Sequence, residues 1–133
     1  MKLYTSRFAN HALADADIAV VAISRGLPKF RIAYEIRGRI WPLAPERALF
    51  GLGEEDYHRL YRNQLDSIGA TVIQRELARF EQFSNVALCC FEDVRKQGQW
   101  CHRRLFAAWW EEHTGQAIEE YPEPFQQTSL WQT

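Results

Sequence analysis

The sequence predicts an α/β fold: one domain spanning 1–133, with a short, mostly parallel sheet flanked by helices. Three observations carry this. Asp17-Ile-Ala-Val-Val-Ala-Ile23 and Val86-Ala-Leu-Cys-Cys-Phe91 are apolar runs of strand length with little alternation, the pattern of strands buried on both faces. Segments with helical periodicity lie between and after them. Strands that alternate with helices form a parallel sheet, and right-handed crossovers are expected to place helices on both of its faces.

Taken in order, Lys2–Phe8 reads as a first strand, with Leu3, Tyr4 and Thr5 favouring extension. Asn10 is placed to cap a brief helix running to Asp15. The Asp17–Ile23 strand ends on Ser24-Arg25-Gly26-Leu27-Pro28, where Gly and Pro turn the chain. Phe30, Ile32, Tyr34 and Ile36 then alternate with Arg31, Ala33, Glu35 and Arg37, which is strand-like. Gly38 marks an expected turn, with Ile40 and Trp41 on a return strand; a hairpin and an extended excursion over the ligand edge both fit. Pro42 and Pro45 stop regular structure and leave Leu43–Gly51 as a loop with a helical turn.

Glu54–Ile68 predicts a helix, because Tyr57, Leu60, Tyr61, Leu65 and Ile68 recur at three- and four-residue steps. Acidic residues occupy its first turn and Gly69 stops it. A second helix is expected over Thr71–Phe83, with Ile73, Leu77 and Phe80 on one stripe. A third starts near Cys101, runs to Thr114 and stops at Gly115. Ala117–Tyr121 reads as a final short strand. Residues 122–133 read as an irregular tail, with Leu130 and Trp131 docking back on the body.

The net charge is −1, so there is no global basic field for wrapping nucleic acid. Three cysteines are an odd number without framework spacing, which predicts a reducing, cytoplasmic setting. The start of the chain lacks the apolar stretch of a signal peptide, and the longest apolar run, Ile18–Ile23, is too short to span a bilayer. Aromatics make up 14% of the residues. Core packing is their first reading, and a stacking or contact surface from Trp41, Trp100 and Trp131 the second.

Ligands of open parallel sheets bind beyond the carboxyl ends of the strands. That rule brings Ser24 and Arg25 to the same edge as the loop after Phe91. Cys101 stands at a helix start beside Arg103 and Arg104, where a thiol is acidified and can act as a nucleophile; a buried structural Cys is the alternative. His102 can orient Cys101, bind phosphate or transfer protons, or simply sit on the helix surface. Arg103 or Arg104 can clamp an anion, but adjacent helix positions point apart, so at most one faces the ligand. Glu92 is placed for acid–base work or for holding Arg25 or Arg103 in a structural ion pair. Asp93 is the weaker candidate. Cys89 and Cys90 fall on opposite faces of their strand and read as core.

The catalytic candidates are therefore Cys101, Glu92 and His102, and the ligand-binding candidates Arg25, Arg103 and Ser24. Cys89, Cys90, Cys101, His102 and His113 lack paired ligand spacing, so neither a metal nor a cofactor is assigned. Walker, dinucleotide-binding and nucleophile-elbow motifs are absent, as is a Cys-x5-Arg loop, since position 107 is Ala.

Cys90-Phe91-Glu92 followed by Cys101-His102-Arg103 resembles the hallmark of the bacterial domain-of-unknown-function 488 family: a Leu-Cys-Phe/Ala-Glu strand end, a short loop, then Cys-His-Arg opening a helix. Ile23-Ser24-Arg25-Gly26-Leu27-Pro28 resembles the family's second strand end, and Leu43-Ala44-Pro45 with the Tyr61 helix resembles a subgroup pattern. The Asp93–Trp100 loop is longer than in compact members. The resemblance implies a compact α/β domain with a polar pocket at Arg25, Glu92, Cys101, His102 and Arg103. The expected function is a small enzyme or anion-binding protein acting on a phosphate-bearing ligand, a nucleotide or nucleic acid. A non-catalytic binding module with the same helix start, and a purely structural motif, are the alternatives.

Overall fold

A computed structural model describes residues 1–96 and 98–124. The expected docking of Leu130 and Trp131 lies outside the described residues, as does most of the predicted tail. Five strands form one sheet: β1 (Lys2–Arg7), β2 (Ala19–Ala22), β3 (Ile36–Arg39), β4 (Asn85–Cys90) and β5 (Glu119–Glu120). Their order is β3-β2-β4-β1-β5, and every pair is parallel. The α/β fold and parallel sheet read from the sequence are thus present.

The helices α1 (Glu54–Ile68), α2 (Ala70–Ala78) and α3 (His102–Thr114) depart from expectation in one respect. All three pack on the same face of the sheet, against Leu3, Val21, Val86 and Leu88. The opposite face carries Val20, Ala22, Ala87 and Cys89, covered by Phe8, Leu13 and Tyr34. The expectation of helices on both faces is corrected, and connection length explains why. The β1–β2 connection holds only the short 3-10 turn His11–Leu13, capped by Asn10, whose side chain accepts from the Ala12 N–H at 3.0 Å. The β2–β3 connection holds no helix among the described residues. Both long helical insertions follow β3 and β4.

Residues 30–35 alternate, yet they form no strand. The strand lies one step later and runs through Gly38, which pairs with Val21 instead of turning the chain. There is no return hairpin: β3 lies parallel to β2. Gly38 is required by close approach, because a Cβ there would meet the Phe80 ring at 2.7–2.8 Å. Pro42 and Arg47 lie in short 3-10 turns, Trp41–Leu43 and Arg47–Leu49, as expected of that loop. α1 spans the predicted residues; α2 stops at Ala78, short of Phe83, although Ile73, Leu77 and Phe80 are buried as a stripe should be. α3 ends at Gly115, in the left-handed region at φ 79°.

The pleat of β4 sets the geometry at its carboxyl end. Val86, Leu88 and Cys90 face the helices, while Ala87 and Cys89 face the other side. The last residue of β4 therefore turns its side chain toward the start of α3.

Candidate functional site

The parallel sheet ends on one edge at Ile23, Ile40 and Cys90, and the predicted residues collect there. Three side chains shape the wall opposite. Tyr61 donates to the Leu43 carbonyl at 2.6 Å, and Gln64 donates to the Pro42 and Ala44 carbonyls at 3.1 and 2.7 Å while accepting from the Glu46 N–H at 3.0 Å. Arg39 lies 3.8 Å over the Trp41 ring and donates to the Ser24 and Arg25 carbonyls at 2.9 and 2.5 Å. These interactions hold the Pro42–Glu46 segment and the turn after β2 where a ligand would meet them. Arg39 and Gln64 carry no motif, so only the fold identifies them as supports; Tyr61 stands in the helix that entered the family resemblance.

Beneath this wall, Cys90 and Cys101 are joined in a disulfide. The odd cysteine count conceals one pair that the sequence spacing does not suggest, with Cys89 left as a buried free thiol whose pKa burial pushes up. Cys90, expected as core alone, is buried, but its sulfur belongs to the site because strand alternation turns it toward α3.

His102 is buried, and its Nε2 lies 2.6 Å from the Ile23 carbonyl. A carbonyl only accepts, so Nε2 carries the proton. The lone pair is then on Nδ1, 3.6 Å from the Cys101 sulfur. Burial, opposed by the Ile23 bond and aided by Arg103, lowers the imidazole to about 4, so it is neutral at pH 7. The expected surface alternative for His102 does not apply.

Arg103 is completely buried. Its guanidinium donates to both Glu120 oxygens at 2.6–3.2 Å, to the Glu92 carbonyl at 2.8 Å and to the Cys90 sulfur at 3.2 Å. Arg104 donates to the Thr5 hydroxyl and the Ile118 carbonyl. The expectation that Arg103 clamps a ligand is corrected: protein groups take its donors. Sequence reasoning misses Glu120 because it lies in a two-residue strand with no motif around it. Ser24 is also committed locally, its hydroxyl donating to the Gly26 carbonyl at 2.6 Å.

Arg25 and Glu92 remain at the surface of the site. They line one cleft of about 230 Å³ between the ends of β2 and β4, with Tyr57, Phe91, Cys90 and His102. A second cleft of about 340 Å³ lies beside it and shares Phe50, Tyr57, Glu92 and His102 with the first; Trp100 and Cys101 line its far side. Tyr57 packs edge-on against Trp100 at 4.5 Å between centroids. Burial, and then the Glu92 charge, raise the Tyr57 phenol, which stays protonated. Another groove, between Phe8, Ala14, Phe30 and Tyr34, holds none of the predicted residues.

The loop after Glu92 is pinned by ion pairs. Arg95 donates to Asp93 at 2.9 and 3.0 Å, and Arg7 bonds Glu123. The Arg95 guanidinium, against the opposing effect of burial, holds the Asp93 carboxyl well below the usual carboxylate range. A depressed folded pKa means that Asp93 adds stability above its unfolded value near about 3.9 and loses it as pH falls below that value. Urea melts of wild type and Asp93→Asn should therefore differ by a constant gap near pH 7, which shrinks below about pH 4 and closes only as pH falls through the depressed folded value. A gap independent of pH would refute this role.

No protein-family model, curated protein or solved structure matches the chain. No helix among the described residues is long and apolar enough to cross a membrane.

Proposed function

We propose that the chain is a small enzyme acting on a phosphate-bearing ligand, a nucleotide or a nucleic-acid end, bound at the C-terminal edge of the sheet. The supporting observation is that Glu92 and Arg25 line one cleft there. A carboxylate supplies proton transfer, and the Arg25 guanidinium, whose Nη1 donates to the Pro45 carbonyl at 3.4 Å among the described residues, has further donors for contact to phosphate. The exposed rings of Phe50 and Phe91 beside them offer stacking faces for a base. Arg103 and His102 enter this reading as supports, since their polar atoms hold Glu120, Glu92 and Ile23. Cys101 enters as part of the floor beside Cys90. Kinship with the domain-of-unknown-function 488 family, carried by Cys90-Phe91-Glu92 and Cys101-His102-Arg103, and a cytoplasmic setting belong to the same proposal.

The burial of Arg103 favours a second reading, in which the motif only builds the cleft and the chain is a binding module. Glu92→Gln separates the two. Calorimetric titration with nucleoside mono- and diphosphates and a short single strand should show binding by wild type. Arg25→Ala should weaken it about tenfold or more, as expected for a lost charged hydrogen bond. Glu92→Gln should retain binding and lose turnover if the chain is an enzyme; if it is a module, wild type itself turns nothing over and Glu92→Gln binds as wild type does. Absence of binding by wild type across the panel, or unchanged binding by Arg25→Ala, would overturn the phosphate assignment.

A further inference from the structure

We infer that Cys90, Cys101 and His102 form a site for a soft divalent cation, zinc above all, when the two cysteines are reduced. The three residues come from the end of β4 and the start of α3, all are buried, and one donor atom of each lies within 4.8 Å of the others. Their sequence spacing hides the site, because a strand end and a helix start bring them together instead of a Cys-x-x-Cys turn.

The surroundings fit a metal in three respects. First, the Ile23 carbonyl accepts the hydrogen bond of the His102 Nε2–H, which leaves an unprotonated Nδ1 facing the sulfurs. A ring nitrogen fixed by a backbone carbonyl, with the other free to ligate, is the usual outer-shell arrangement of a metal-bound histidine. Second, Arg103 Nη1 donates to the Cys90 sulfur at 3.2 Å, an outer-shell cationic donor beside a proposed ligand atom. Third, the protein supplies three donors and the cluster borders the two clefts. Two sulfurs and one imidazole with an open fourth position are a catalytic donor set for zinc; structural sites are closed by four.

The chemistry balances simply. A thiol or phosphine reductant gives the disulfide two electrons and, with two protons from water, yields two thiols. Each thiol releases its proton to solvent as its sulfur takes the ion. With zinc–sulfur bonds of about 2.3 Å, a tetrahedral ion sets two sulfurs about 3.8 Å apart. The Cα atoms stand 7.5 Å apart, so side-chain rotation can reach that separation. Glu92 lies two residues beyond Cys90 and lines both clefts that border the cluster. The fourth position thus gives the proposed enzyme a water acidified by the ion and a carboxylate to accept its proton. The metal assignment does not depend on the phosphate-bearing ligand.

The test uses the full chain, reduced with a phosphine and freed of metal by chelator. Zinc titrated against a chromophoric competitor should load one ion per chain, and cobalt in its place should give tetrahedral visible bands with strong sulfur charge transfer. The oxidised protein should take up none. Cys90→Ser and Cys101→Ser should each weaken zinc about 100-fold or more, and His102→Asn about 10-fold or more, at least the effect of losing an outer-shell partner. Should a variant fail to fold, the wild-type cobalt spectrum decides by itself: charge transfer from two thiolates supports the site, and its absence overturns it. Uptake by the oxidised protein, or uptake abolished by His58→Ala or His113→Ala, also overturns it and marks surface binding. Nucleotide binding by the metal-free chain is scored separately, so each proposal can fail without the other.

Discussion

Replacing Arg103 with Met is expected to destabilise the protein by about 3 kcal/mol. The guanidinium is fully buried and ties α3 to two other parts of the chain through three acceptors: Glu120 in β5, and the Glu92 carbonyl and Cys90 sulfur at the end of β4. Methionine keeps most of the volume, so the loss reports the polar contacts. Breaking a buried ion pair by removing one partner costs about 3–5 kcal/mol. Glu120 is 30% exposed and can be rehydrated, which places the figure at the low end. Arg103→Lys should recover little, because one ammonium cannot reach all three acceptors. Adding Glu120→Gln to Arg103→Met should restore part of the loss, since the stranded charge is then gone. Urea melts of wild type and these variants check this. A loss below about 1 kcal/mol for Arg103→Met would mean that the desolvation of the guanidinium cancels its bonds.

Trp109→Ala is expected to cost about 3–5 kcal/mol, the range for deleting a large buried aromatic. Trp109 lies between α3 and α1. Its ring stacks on His113 at 4.1 Å between centroids, and its Nε1 donates to Asp66 of α1 at 2.8 Å. For a chain of this length the loss should lower the melting temperature by roughly 10–20 °C. Trp109→Phe separates the two contributions. It retains most of the apolar contact and loses the bond to Asp66, which is half exposed and can turn to water. About 1–2 kcal/mol is expected for that change. Equal losses for Ala and Phe would show that the hydrogen bond, not the ring, holds α3 to α1.

Both expectations concern α3, whose start builds the site and whose body anchors it. This is why the candidate site and the core cannot be treated apart. The Cys101 end of the helix is held over the end of β2 by His102 and over the end of β4 by Arg103, while Phe106, Trp109 and Trp110 bury the face behind it. A variant that loosens the aromatic layer should therefore also disturb the Cys90–Cys101–His102 cluster, although it touches none of these residues.

Local patterns in the sequence were enough for the fold class, for α1 to the residue, for the stops at Gly69 and Gly115, and for β2 and β4 as buried strands. These depend on periodicity, capping and uninterrupted apolar runs, which act within a few residues of one another. The same patterns brought Ser24, Arg25, Glu92, Cys101 and His102 to one edge, because strand direction follows from the parallel arrangement. Only the tertiary structure decided the rest. Gly38 lies inside a strand because the Phe80 ring, from beyond α2, occupies the space of its missing side chain. The helices share one face because the first two connections hold no long helix. Arg103 supports the site instead of meeting a ligand because Glu120 arrives beside it from another strand. Cys90 joins Cys101 and His102 because the pleat turns one particular strand residue toward one particular helix start. Each of these outcomes is a contact between distant segments, and its energy depends on which groups are buried together, information that no window of neighbouring residues contains.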